Sequence, residues 1–163
     1  VTAANISVFD RSQRDPDLRG MGTTIVACIV CDGIAHIVHA GDSRAYHITE
    51  EGIEQMTKDH SVVQLLVDRG EITQDEARFH PKKHFITRAL GVMSIIDLDY
   101  CEFALDEGEA IIICTDGLSN YFTSGELFDM VKAAGYGKCV DKLINAAKKA
   151  GGADNITVVC ISK

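Results

Sequence analysis

The apolar positions of this chain change their spacing several times, and each change predicts an element. Residues 1–13 carry Ala3, Ala4, Ile6, Val8 and Phe9 among polar neighbours, a helical pattern that stops at Arg14-Asp15-Pro16. Residues 23–31 form a nearly continuous apolar, β-branched run, which predicts a strand buried on both faces. Asp32-Gly33 is a hairpin signal, and Ile34 to Ala40 is the return strand, ending at Gly41-Asp42. Residues 44–49 and Ile53 to Thr57 read as two further strands around Glu51-Gly52.

The pattern then turns helical. Val62, Val63, Leu65, Leu66 and Val67 predict a short helix stopped by Gly70. Thr73 with Glu76 three residues on is a capping box that opens a second short helix, ended near Pro81. Residues 59–92 therefore read as a helical, polar insertion between β segments. Strands resume at 97–105 and 110–114. Thr123 with Glu126 caps a helix through Ala134, and a helix over 138–150 carries Val140, Leu143, Ile144 and Ala147 on one face. Ile156 to Ile161 is the last strand. Hairpins outnumber strand–helix–strand units, so the fold class is α+β: an antiparallel sandwich with helices packed outside it.

Composition agrees with a globular domain: 163 residues, 46% hydrophobic, with 2 prolines. No apolar run approaches the ~18–20 residues that span a bilayer, so no membrane segment is expected. The net charge of −8, without a basic stripe, argues against nucleic-acid partners. One local exception is basic: Arg78, His80, Lys82, Lys83, His84 and Arg88 cluster in eleven residues. Such a cluster is either a solvated loop or a surface that meets an anionic substrate. The six cysteines read as small buried hydrophobes in a reducing compartment, which predicts a cytoplasmic protein. Cys28 and Cys31 have metal-pair spacing, but residues three apart in a strand face opposite ways.

Candidate chemistry rests on three aspartates where strands meet turns: Asp42, Asp116 and Asp154. Each alone is explained by an Asx turn. Together they suggest carboxylates gathered at one rim, where a divalent cation relieves their repulsion. An oxygen-only donor set favours Mg²⁺ or Mn²⁺ over zinc, and such ions serve phosphate hydrolysis. No Gly-rich phosphate loop and no Gly-x-Ser-x-Gly motif is present, which argues against a kinase, an ATPase or a serine nucleophile.

A longer series of motifs carries a resemblance. Gly20-Met21-Gly22-Thr23-Thr24, Gly41-Asp42-Ser43-Arg44-Ala45-Tyr46, Thr57-Lys58-Asp59-His60-Ser61 and His80-Pro81 come first. Ile86-Thr87-Arg88-Ala89-Leu90-Gly91, Thr115-Asp116-Gly117-Leu118 and residues 151–158 follow. In this order the series resembles the metal-dependent serine/threonine protein phosphatases of type 2C, in their bacterial form. The resemblance implies hydrolysis of phosphoserine and phosphothreonine by a metal-activated water. It implies that Asp116 and Asp154 are ligands of a catalytic pair of Mn²⁺ or Mg²⁺ ions and that Asp42 holds a third. It implies that the insertion at 59–92 is a mobile flap, with Arg88, His80, Lys82 and Lys83 meeting substrate. The partners are then phosphorylated proteins, the targets of a serine/threonine kinase.

Some family features have no counterpart in these residues: a phosphate-holding arginine, an acidic motif and an Asp-Gly pair that bridges the two metals. The chain opens at Val1 within a helical pattern. Residues 1–163 are thus expected to be a partial phosphatase domain, weak or inactive alone. A sandwich lacking its first strands is expected to dimerise, exchange strands or take up a separate chain. The competing expectation is a truncated or degenerate fold that binds phosphoproteins without turnover.

Overall fold

The computed structural model describes all of residues 1–163. Two antiparallel sheets are flanked by helices, as the hairpin-rich element order requires. One sheet has the order β1 (Ile25–Cys31), β2 (Ile34–Ala40), β5 (Asp99–Ala104). The other runs β4 (Ile53–Gln55), β3 (Arg44–Ile48), β6 (Ala110–Cys114), β7 (Val158–Ser162). The β1–β2 turn takes positive φ at both Asp32 (50°) and Gly33 (81°), the geometry that Asp-Gly favours in a tight hairpin. The chain divides into two compact units. One comprises Val1–Ala27, Val38–Asp42 and Asp59–Tyr100; the other comprises Cys28–Ile37, Ser43–Lys58 and Cys101–Lys163.

The second unit holds the main core. Its register pairs Tyr46 with Ile112, Arg44 with Cys114, and Cys114 with Val158. Period-two alternation turns Tyr46, Ile48, Ile112, Cys114 and Val158 to one face. That face is covered by α4 (Asp116–Ser119), α5 (Ser124–Ala134) and α6 (Tyr136–Lys149), through Leu118, Leu127, Val131, Cys139, Leu143 and Ala147. Burying each leucine contributes about 1.5–3 kcal/mol. The expected α6 face is confirmed at Leu143 and Ala147, whereas Val140 and Ile144 are half-buried flanks and Cys139 is fully buried. Both capping boxes form: Thr73 and Thr123 each accept from the N3 amide, and Glu76 and Glu126 reach back.

In the first unit, α1 (Thr2–Arg14) ends at Asp15, whose carboxylate accepts from the Asp17 amide to start a single 3₁₀ turn. Asn5, fully buried on α1, donates to the Met93 and Ser94 carbonyls and accepts from the Gly91 amide at 2.8 Å. Residues 59–92 contain the two expected helices, α2 (Val62–Asp68) and α3 (Gln74–Phe79). Ser61 caps α2 and bridges to Ile86, while Thr23 pairs with Leu90. No helix is long and apolar enough to cross a membrane.

Two expectations fail. β1 is not buried on both faces: Ile29 is 70% exposed, and Val30 and Cys31 are exposed too. β1 lies at a sheet edge, and a continuous apolar run does not reveal whether its strand is central. Nor are the six cysteines uniformly buried. Cys114 and Cys139 are, Cys28, Cys101 and Cys160 are half-buried, and Cys31 is exposed because it closes that same strand at the hairpin. All six are free thiols. Burial raises the Cys28 and Cys101 thiols, and pushes Cys160, beside Cys139, up to about 12, so these three are not primed for thiolate chemistry.

Candidate functional site

The turns that carry Asp116 and Asp154 come to one end of the sheet through its register. β6 and β7 are antiparallel, and Cys114 pairs with Val158, so the segment after β6 and the segment before β7 leave the sheet at one end. Thr115 fastens them: its amide donates to the Thr157 carbonyl (3.1 Å), its hydroxyl donates to the Asn155 carbonyl (3.2 Å), and the same hydroxyl accepts from the Thr157 amide (3.1 Å). Gly117 sits so close that a Cβ there would strike the Asn155 carbonyl oxygen. The sequence Thr-Asp-Gly is thus a requirement of fit as well as a turn. Tyr121 adds a further tie by accepting from the Ala153 amide at its hydroxyl (3.0 Å).

Within this end of the sheet, Asp116 opens α4 and is half-buried, whereas Asp154 is exposed. Asn120 Nδ2 donates to Asp116 Oδ2 at 3.1 Å and fixes the carboxylate plane. Asp154 Oδ1 accepts from the Asn155 amide at 2.7 Å. Each carboxylate commits one oxygen to these bonds. Both carboxylates are hard, anionic donors on turns tied to one backbone clasp, the donor type that Mg²⁺ and Mn²⁺ prefer. A soft metal would want thiolate or imidazole, and neither is among these residues.

Asp42 belongs to the other unit, at the end of β2 and half-buried. The residue before it, Gly41, is held twice by His60. The His60 amide donates to the Gly41 carbonyl (2.9 Å), and the Gly41 amide donates to His60 Nδ1 (3.1 Å). A Cβ on Gly41 would strike the Thr24 side chain, and its φ of 115° disfavours other residues.

The sequence reading assigned no role to His60, and the structure makes it the centre of a cluster. His39 stacks on it, with centroids 4.8 Å apart and planes 10° from parallel. Asp99 Oδ2 lies 3.2 Å from His60 Nε2, and Arg88 Nη1 donates to Asp99 Oδ1 at 2.6 Å. A backbone amide can only donate, so Nδ1 is the acceptor and neutral His60 carries its proton on Nε2, toward Asp99. Arg88 Nη1, 3.1 Å from Nε2, is then a second donor converging on the same carboxylate. Ligand atoms of His39, His60 and Asp99 lie within 4.8 Å of one another, yet the group is poorly suited to a cation. One His60 nitrogen is engaged by Gly41, the other faces a guanidinium, and parallel rings do not converge their lone pairs.

The cluster shifts its own protonation. Burial lowers the His60 pKa, and the charge of Arg88 and neighbouring His39 lower it further, against the hydrogen bond to Asp99. Burial would raise Asp99, but hydrogen bonds from His60 and Arg88 outweigh it and hold the carboxyl low. With the folded His60 pKa below its ordinary 6.5, the unfolded chain binds more protons as pH falls past that value. The stability contributed by neutral His60 is complete above that pH and is lost as pH falls through the folded value. The expected result is a lower melting temperature at about pH 5 than at about pH 7.5, with a shallower slope in His60→Gln. Parallel profiles for the two proteins would contradict it.

The four substrate-binding candidates also lie in the first unit. Arg88 is half-buried and ion-paired with Asp99. His80 caps α3 at its C-terminus and accepts from the Lys82 amide at Nδ1 (3.1 Å). Lys82 is exposed and Lys83 half-buried, with Phe79 (83% exposed) and Phe85 (61%) beside them. The His60 cluster was legible in part: His60 lies in a quoted motif and Arg88 in another. Nothing in the spacing tied either to Asp99 or His39, which come from different strands.

Known proteins resemble this chain in sequence and in fold. The family model described as Protein phosphatase 2C matches residues 3–156. The chain is 35% identical over 164 aligned positions to a serine/threonine phosphatase stp of Listeria welshimeri, covering 100% of this chain and 65% of that protein. It therefore spans about two thirds of that relative's length. Among solved structures it is similar to Stp1 from Staphylococcus aureus, with a TM-score of 0.94, 31% identity, and coverage of 99% of this chain and 64% of the other. The catalytic domain of the phosphatase PstP in complex with 2 manganese ions is also similar: TM-score 0.88, 33% identity, 98% and 66% covered. The chain belongs to the protein phosphatase 2C family.

Proposed function

We propose that the protein hydrolyses phosphoserine and phosphothreonine in other proteins, with Asp116 and Asp154 as ligands of Mn²⁺ or Mg²⁺ ions. The observation that supports this most strongly is the clasp of Thr115 with Asn155 and Thr157, which ties two carboxylate-bearing turns to one sheet end. Family membership supports the same chemistry. A cation bound there supplies acidity to water at neutral pH and neutralises phosphate oxygens. The protein's own residues bind and orient. Asn120 orients Asp116, and the clasp holds the turn of Asp154 at the same sheet end. We assign Asp42 to a separate, third cation.

Lys82, Lys83, His80 and Arg88 form the basic surface that draws in the anionic phosphopeptide. Residues 59–92 act as the flap that carries it, and the substrates are targets of a serine/threonine kinase. Six free thiols support a reducing, cytoplasmic setting. The exposed edge strand β1, with Ile29 and Val30 outward, supports self-association by dimerisation or strand exchange. Sedimentation velocity should then depend on concentration, and a monomer at all concentrations would count against it.

The function is tested with the full-length protein and a phosphothreonine peptide. Phosphate release should require Mn²⁺ or Mg²⁺ and stop with EDTA. Tight peptide binding without metal-dependent release would favour the non-catalytic reading instead.

A further inference from the structure

We propose that His60 is a positioning residue for Asp42: its Nδ1 accepts the Gly41 amide hydrogen and fixes the direction in which the Asp42 carboxylate leaves β2. The inference rests on the reading of Asp42 as a cation ligand.

Three observations carry it. Gly41 and His60 exchange two hydrogen bonds, one backbone to backbone and one from the Gly41 amide to the imidazole. The imidazole itself cannot turn. It is buried, stacked against His39, and anchored at Nε2 by Asp99. Arg88 Nη1, beside His60 Nε2, donates to Asp99 Oδ1 at 2.6 Å and steadies it, and the Thr87 amide donates to the His60 carbonyl at 2.7 Å. The segment around Arg88 therefore holds His60, His60 holds Gly41, and Asp42 follows directly in the chain. Because Gly41 has no side chain to lock its own torsions, this external acceptor fixes what the residue type leaves loose.

The two ring nitrogens have separate jobs, so two amide substitutions separate them. Asparagine sets a carbonyl oxygen near the position of Nδ1 and keeps the acceptor for Gly41. Glutamine reaches the position of Nε2 and keeps a donor for Asp99 but gives Gly41 nothing. In the full-length protein, Mg²⁺ is titrated while the Gly41 and Asp42 backbone amides are followed by NMR. Phosphopeptide turnover against Mn²⁺ concentration is measured in parallel.

The expected result is that His60→Gln raises both metal midpoints by about 10–100-fold, the usual range for lost outer-shell support, and that Asp42→Asn raises them by at least as much. His60→Asn recovers most of that loss, although it melts lower than wild type. If Asp42→Asn shifts the midpoints and His60→Gln does not, the positioning role is wrong and the metal reading stands. If Asp42→Asn shifts nothing, the assignment of Asp42 fails and this inference falls with it. If asparagine and glutamine are equally impaired, the Nδ1 acceptor is not what matters and the proposal is overturned. Should either variant fail to fold, the wild type decides: ¹⁵N shifts of His60 must report a neutral ring with its proton on Nε2, and the other tautomer overturns the proposal.

Discussion

Asp154→Asn is expected to lower metal-dependent phosphopeptide turnover by at least about 100-fold while leaving the melting temperature nearly unchanged. Losing an outer-shell partner already costs 10–100-fold in affinity or activity, and a direct ligand should cost no less. Asparagine keeps the size of the side chain and can still accept from the Asn155 amide, so the turn survives. Asp154 is exposed, and surface substitutions of this kind change stability by roughly 0.5 kcal/mol or less. Asp116→Asn should cost similar activity, with a larger stability change because Asn120 donates to its carboxylate. Calorimetric titration with Mn²⁺ provides a readout separate from turnover. An unchanged rate and an unchanged Mn²⁺ isotherm in Asp154→Asn would remove it from the metal assignment.

The largest stability effect is expected at Gly91, where alanine should cost about 2–5 kcal/mol. Two mechanisms act together there. Gly91 has a φ of 83°, a conformation that costs an L-residue about 1–2 kcal/mol. A Cβ would also strike the Val8 side chain and crowd the Met21 carbonyl, and overpacking costs a further ~1–3 kcal/mol. Neither neighbour is the free end of a long side chain. Relief would have to come from moving α1 away, which breaks the bonds that Asn5 makes to Gly91, Met93 and Ser94. Gly108 is the control: its φ is 84°, yet nothing lies within 4 Å of a Cβ there. Gly108→Ala should show the strain alone, about 1–2 kcal/mol. Thermal or urea unfolding measures both, and equal losses would show that the contact with Val8 is not decisive.

The elements that were legible in the sequence share one property: their signals are local. Thr73–Glu76 and Thr123–Glu126 predicted helix starts because a capping box involves only four consecutive residues. Asp32-Gly33 predicted its hairpin because a two-residue turn depends on its own torsions. The short, unbroken apolar run at 110–114 gave the correct strand, which is buried at four of its five positions. The failures share the opposite property. The exposure of Ile29 depends on which strand lies beside β1, and a run of seven apolar residues says nothing of that. The helical turn α4, which Asp116 opens and whose Leu118 is buried in the core, had no local signal to announce it.

By itself the sequence determined the α+β class, the positions of the hairpins and helices, and the three aspartates. It did so because hydrophobic period, caps and turn residues act over a few positions. Its ordered motifs also determined the resemblance to type 2C phosphatases. Only the tertiary structure decided which groups touch. The register of β6 on β7 brought the Asp116 and Asp154 turns under one clasp, in which Thr115 bonds Asn155 across a separation of 40 residues. The folding of 59–100 against β2 gathered His39, His60, Arg88 and Asp99, and gave a histidine with no assigned role a hold on Gly41. Hydrogen bonds and ion pairs act over about 3 Å, and the sequence separation of their partners carries no record of that distance.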